Sequence, residues 1–393
     1  MKISLFSNFL NHHQVPVCDE FYKKFGNDFT FVATEPIPEE RLNMGYGGQK
    51  RNYCLCSYES QESYDSALLL GIESDVVIIG SAPKIFIQER IKRGKLTFIY
   101  SERILKKGFR SAFISRQPFI MFFNHFVNKR KNVHLLCASA YTAYDFGLFR
   151  CYLGKAYKWG YFPEKQPLGF KDLIQQKSAG SEPIRLLWVG RFLYWKHPEK
   201  AIETAKHLKD RNFAFHLRMI GSGAEENCVK KLIEEYKLSE YVELLGNKKP
   251  SDVRDEMNRS DIFLFTSDKQ EGWGAVLNEA MDGGCAVVAS HEIGAVPFLL
   301  KYGESGLIYQ NDDNNDLFIQ VDKLIEDAEF RHKLGCNAKE TIDTKWCAET
   351  AAEKIVLLAE SLLRGKAPTS FKDGPCSPAE RISEKEFGRM YKI

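Results

Sequence analysis

The chain has 393 residues, 44% hydrophobic and 27% charged, which is more than one core ordinarily organises and predicts two soluble domains. Its formal charge of +3 is too small to signal a nucleic-acid partner, and no run approaches the roughly 20 apolar residues that span a bilayer. Ten cysteines, with no second zinc-spaced pair to accompany Cys54-Leu55-Cys56, read as free thiols and predict no metal site.

Met1-Lys2 leads directly into Ile3-Ser4-Leu5-Phe6, too short for a secretory signal core, so a cytoplasmic chain is expected. Strands are expected at residues 3–7, 29–33, 75–80, 96–100 and 133–138, with helical patterns at 84–92 and 141–150 between them. The loop Asn8-Phe9-Leu10-Asn11-His12-His13-Gln14 follows the first strand. His12 and His13, with their amide neighbours, suit hydroxyl or phosphate binding there, although a polar cap explains the same residues. The strand at 96–100 delivers Ser101-Glu102-Arg103 to the same sheet edge.

Residues 104–131 contain no Asp or Glu. They interleave Lys106, Lys107, Arg110, Arg116, Lys129, Arg130 and Lys131 with Phe109, Phe113, Phe119, Phe122, Phe123 and Phe126. Such a stretch suits the inner membrane surface or a lipid-phosphate acceptor, and a peripheral location follows from it. The alternative is a buried aromatic helix with a basic rim.

Residues 166–183 carry Pro167, Pro183 and the polar run Gln175-Gln176-Lys177-Ser178, and read as a linker. The expected domains are therefore 1–165 and 184–350, with a C-terminal helix and tail (351–393) returning to the first domain. Strands at 185–190, 216–221, 242–246, 262–267 and 286–290 alternate with helices at 198–209, 224–236 and 251–259. This is the pattern of an α/β chain with two Rossmann-like parallel-sheet domains, whose strand C-terminal edges would face a shared cleft. The acidic run from Asn311 to Asp316 lacks the glycine and distal glutamate of a calcium loop, and reads as a helix cap.

The densest chemistry follows the strand at 262–267: Glu271-Gly272-Trp273-Gly274-Ala275-Val276-Leu277-Asn278-Glu279. Two glycines allow close backbone approach to a ligand, and a helix opening offers unpaired amides to an anion. Glu271 and Glu279 are eight residues apart, a little over two helical turns. Earlier, Gly190-Arg191 follows a strand, and Lys196 lies five positions past the arginine. Arg191 supplies a fork-shaped donor and Lys196 a mobile point charge, the two devices that grip a diphosphate.

These motifs resemble those of the family-4 retaining glycosyltransferases of the GT-B fold, over residues 185–360 and only faintly before Tyr157. The resemblance implies that Glu271 contacts donor-sugar hydroxyls and Glu279 the nucleotide ribose. The backbone of Gly272, Trp273, Gly274, Ala275 and Val276 would bind sugar and phosphate, with Arg191 and Lys196 on the diphosphate. Asn247, ending Leu244-Leu245-Gly246-Asn247, falls where the family's strand passes the base. Two departures stand out. His197 occupies a glycine position of the family, and no histidine follows the strand at 96–100, where Glu102 or Arg103 would substitute. The implied reaction moves a sugar from a nucleotide-diphosphate donor to a hydroxyl of a glycan or lipid-linked acceptor, in polysaccharide or glycoconjugate biosynthesis. Neither metal nor cofactor is expected. A sugar-nucleotide epimerase and a non-catalytic nucleotide-sugar-binding protein are the competing readings.

Overall fold

The computed structural model describes residues 1–39, 42, 51–108, 122–166, 169, 173, 175, 177 and 183–391, with no side chain described at 122 and 123. Most of the phenylalanine-rich core of the basic stretch therefore lies outside the described residues, including Arg110, Arg116, Phe109, Phe113 and Phe119. The chain divides into two units, Met1–Glu164 with Trp346–Ile382, and Lys165–Lys345 with Ser383–Ile393.

In the first unit β1 (Ile3–Ser7), β2 (Phe29–Ala33), β3 (Cys54–Cys56), β4 (Val76–Ile79), β5 (Thr97–Ser101), β6 (Val133–Cys137) and β7 (Ala156–Lys158) form one sheet in the order 3-2-1-4-5-6-7. Every adjacent pair is parallel. β1, β4 and β6 are buried along their whole length, which suits the unbroken apolar run of β4 and the mostly apolar β1 and β6, where Ser4, Ser7 and His134 are buried with the rest. The order reverses between β1 and β4, and the loops at that switch point bind ligands in open sheets of this kind.

The second unit repeats the plan. β8 (Ile184–Val189), β9 (Phe215–Ile220), β10 (Val242–Gly246), β11 (Ile262–Phe265), β12 (Ala286–Ser290) and β13 (Leu307–Tyr309) lie parallel in the order 10-9-8-11-12-13. The switch point falls between β8 and β11, the strands that precede Arg191 and Glu271. β3, β7 and β13 were not anticipated. Each has three residues and lies at a sheet edge, too short to leave a periodicity.

Two expected boundaries shift. Part of the supposed linker is anchored on the second unit: the amide of Gln166 donates to Asp282 at 2.7 Å and Leu173 is buried. The Lys177 ammonium donates to the Met257 and Ser260 carbonyls where the helix Pro250–Arg259 ends, a terminus that favours a cation. At the other end, the helix Ala348–Leu363 packs its apolar face against Val15–Phe25 in the first unit. The last helix, Glu384–Met390, belongs instead to the second unit. Gln310 donates to the Gly388 carbonyl, and a side chain at Gly388 would come within 2.9 Å of His291, so glycine permits the contact. In the acidic run, the Asp313 carboxylate accepts from the amides of Asn315 and Asp316 and caps the helix Asn314–Glu326.

Candidate functional site

The second unit's site is built on the C-terminal ends of β8, β9, β10 and β11. The β8 and β9 loops are fused through backbone. The Gly190 amide donates to the Ile220 carbonyl at 3.0 Å and the Phe192 amide to Ser222 at 2.8 Å. Gly221 has φ +128°, and a Cβ there would lie 1.9 Å from the Gly190 carbonyl oxygen, so no other residue fits without moving backbone. Ser222 and Asn247 exchange side-chain hydrogen bonds, which holds the exposed Asn247 at the neighbouring loop.

Thr266, at the end of β11, ties this loop to the next. Its hydroxyl accepts from the Trp188 indole at 2.9 Å and faces the carbonyls of Lys196 and His197 at 2.7 and 2.9 Å. The turn Tyr194–Lys196 is thereby fixed, and the Lys196 ammonium reaches the Glu271 carboxylate in an ion pair. Ser267 donates to the same carboxylate oxygen at 3.1 Å. The two side chains are only 13% and 11% exposed, so their attraction is screened much less than a surface pair's. Arg191 behaves differently. It is exposed, and among the described residues its guanidinium has no hydrogen bond or ion pair. The two cations that sequence spacing couples thus arrive in different states, one engaged and one free.

Glu271 opens the loop to the helix Val276–Asp282. The Glu271 and Trp273 carbonyls accept from the amides of Gly294 and Ala295, both at 3.2 Å, which pins the loop from the far side. Gly274 has φ +88°, and a Cβ there would lie 2.5 Å from the Phe265 ring. Internal hydrogen bonding resumes with the Leu277 amide on the Gly274 carbonyl at 2.9 Å. Among the described residues, no acceptor faces the amides of Gly274, Ala275 and Val276. Three open donors at the entry to a helix are an arrangement that suits an anion. The Trp273 ring is buried, and its Nε1 donates to Asn278 at 2.9 Å. Glu279 is half-buried one turn on, with no contact to Glu271 among the described residues.

In the first unit, a cavity of about 470 Å³ opens at the β1–β4 switch point, lined by Asn8, Asn11, Gln14, Tyr100, Glu102, Lys106 and Tyr161 among others. Glu102 faces it, accepting from the Tyr161 hydroxyl at 2.9 Å and pairing with Lys106. Arg103 also lines the cavity, but its charge is engaged elsewhere. Its guanidinium is buried on Asp145, whose carboxylate also accepts from the amides of Ile104 and Leu105, so the pair is a strut for the loop after β5. His12 and His13 are not in the cavity wall; their rings lie against each other with centroids 3.6 Å apart. Asn11 is a turn residue as well as a wall residue, since its side chain accepts from the amides of His13 and Gln14.

Comparison with known proteins fits this geometry. Residues 170–341, less than half of the chain, match the family described as "Glycosyl transferases group 1". The putative colanic acid biosynthesis glycosyltransferase WcaL of Salmonella typhimurium is 34% identical over 140 residues, 34% of this chain and 34% of WcaL. The amylovoran biosynthesis glycosyltransferase AmsK of Erwinia amylovora is 32% identical over 161 residues, 40% of this chain and 38% of AmsK. The matched stretches thus span between a third and two fifths of these curated relatives. Among solved structures, HepE of Anabaena in complex with UDP aligns with a TM-score of 0.67, covering 92% of this chain and 99% of HepE at 17% identity. That likeness extends over both units and shows the fold: two Rossmann-like parallel α/β domains of the GT-B type.

Sequence reasoning singled out Arg191, Lys196, Glu271 and the glycine loop, all of which lie in the loops after β8 and β11. It passed over Thr266 and Asp268, which contact Lys196 and His197 about 70 positions away, and Ser267, which donates to Glu271. The strand ending in Thr266-Ser267 was their only trace.

Proposed function

We propose that this protein is a retaining glycosyltransferase that moves a sugar from a nucleoside-diphosphate donor to a hydroxyl of a glycan or lipid-linked acceptor. The observation that carries the proposal is the convergence at one sheet edge of the free Arg191 guanidinium, the Lys196–Glu271 pair and the unpaired amides of Gly274, Ala275 and Val276. A diphosphate needs such donors, and they matter most as charge grows on it while the glycosidic bond breaks. Glu271 then accepts from donor-sugar hydroxyls and Glu279 from the ribose. The leaving group departs first, and the acceptor attacks from the face it vacates. No side chain is assigned as a covalent nucleophile, and no metal is invoked. The UDP in HepE supports a nucleoside diphosphate, and the names of WcaL and AmsK support polysaccharide biosynthesis. On the acceptor side, the hydroxyl- and amide-lined cavity around Glu102 suits a saccharide.

Incubation with a panel of nucleotide sugars tests the reading. Release of nucleoside diphosphate with transfer or hydrolysis supports it. Epimerisation of the free donor, or binding without turnover, contradicts it.

Membrane contact belongs to the same proposal. In the described part of the acid-free stretch Lys107, Lys129, Arg130 and Lys131 are exposed, as is Val127 at 57%. Each cation near an anionic leaflet is worth about 1 kcal/mol, screened as salt rises. Sedimentation with anionic vesicles is expected to capture the protein at low salt, release it at high salt, and fail for Lys129→Glu with Lys131→Glu. Equal sedimentation with neutral vesicles, or none with either kind, removes membrane contact from the account.

A further inference from the structure

We propose that His197 is a positioning residue: held as an imidazolium between Glu199 and Asp268, it fixes the turn that carries Lys196 to Glu271. The inference rests on the diphosphate reading above. It begins with backbone. His197 follows the turn Tyr194–Lys196 and precedes Pro198, the first residue of the next helix, with φ 50° and ψ 55°. A following proline disfavours the right-handed helical region, and the left-handed one is open without cost only to glycine. A side chain there costs about 1–2 kcal/mol, so its retention calls for a compensating interaction.

The ring supplies one. Its Nδ1 lies 2.7 Å from a Glu199 oxygen and its Nε2 3.7 Å from an Asp268 oxygen. A neutral imidazole carries one N–H, which would leave a lone pair facing a carboxylate, whereas the imidazolium presents a proton to each. Burial opposes that charge, but the Asp268 and Glu199 carboxylates outweigh it and raise the pKa to about 9, with Lys200 acting against them. Glu203, one turn further along the same helix, is within electrostatic range of His197, while its carboxylate accepts from Asn314 at 2.6 Å.

Asp268 is the link to the site. It lies three residues before Glu271, its amide donates to the Trp195 carbonyl at 2.9 Å, and its carbonyl accepts from the Glu271 amide at 3.0 Å. The His197–Asp268 contact thus joins the Lys196 turn to the Glu271 loop by charge as well as backbone. Because the folded-state pKa is raised, the clamp is intact at neutral pH and below, and is lost as pH rises through about 9.

Calorimetric titration of the full chain with UDP, from about pH 7 to about pH 10, tests the assignment with wild type, His197→Gly and His197→Gln. Glycine takes the left-handed turn without a charge, so His197→Gly is expected to bind UDP at neutral pH. Wild type is expected to lose about tenfold more affinity than His197→Gly across the alkaline range, and His197→Gln to bind weakly throughout. Identical pH profiles for wild type and His197→Gly overturn the role of His197 and leave the nucleotide reading standing. Failure of both to bind UDP or any other nucleoside diphosphate at neutral pH overturns the nucleotide reading itself.

Discussion

Arg191→Ala is expected to lower turnover by about two to three decades while leaving the unfolding midpoint within about 1 °C of wild type. Two observations set the expectation. The guanidinium is exposed and has no partner among the described residues, so its removal breaks nothing in the resting fold. Its proposed partner is the departing diphosphate, whose charge grows toward the transition state, and removing a charge-assisted hydrogen bond there costs ~2–4 kcal/mol. The effect should therefore fall on kcat more than on donor affinity. Unchanged turnover in a correctly folded Arg191→Ala protein would remove the residue from the mechanism.

Lys196 and Glu271 should behave in the opposite way, as a coupled unit. Lys196→Met alone leaves the Glu271 carboxylate in a mostly buried loop with, among the described residues, only Ser267 to satisfy it. Breaking one side of such a pair is expected to cost ~2–4 kcal/mol of stability, and turnover should fall by at least about two decades. Combining Lys196→Met with Glu271→Gln should restore most of the stability, since no charge is then left unpaired, without restoring turnover. Urea unfolding and single-turnover kinetics on the four proteins of the cycle separate these effects. Additive stability losses would show that the two side chains do not depend on each other. Recovery of turnover in the double variant would show that the pair is structural and that catalysis lies elsewhere.

What the sequence made legible was local. Arg191, Lys196, Glu271 and Gly274 each lie within a few residues of a buried strand, and a strand–loop–helix unit places such residues at a sheet edge by covalent geometry alone. Pairings across the chain were not legible. Nothing within a window of a dozen residues says that Lys196 meets Glu271, or that the Arg103 guanidinium pairs with Asp145. The direction of a side chain was equally hidden. Trp273 sits inside the motif, yet its ring turns to Asn278 and the core. His197 was legible only as an anomaly. A missing glycine marks a left-handed position, but the carboxylates that stabilise a histidine there come from a neighbouring helix turn and from the loop after β11.

The most direct test of the central claim follows one turnover with the donor that the nucleotide-sugar panel selects. Proton NMR of the reaction reads the released nucleoside diphosphate and the anomeric configuration of the transferred sugar together. The account predicts one nucleoside diphosphate released per sugar transferred, with the donor's anomeric configuration kept in the product. Product of inverted configuration would contradict the retaining mechanism. Sugar chemistry without release of the nucleotide would contradict a glycosyltransferase altogether.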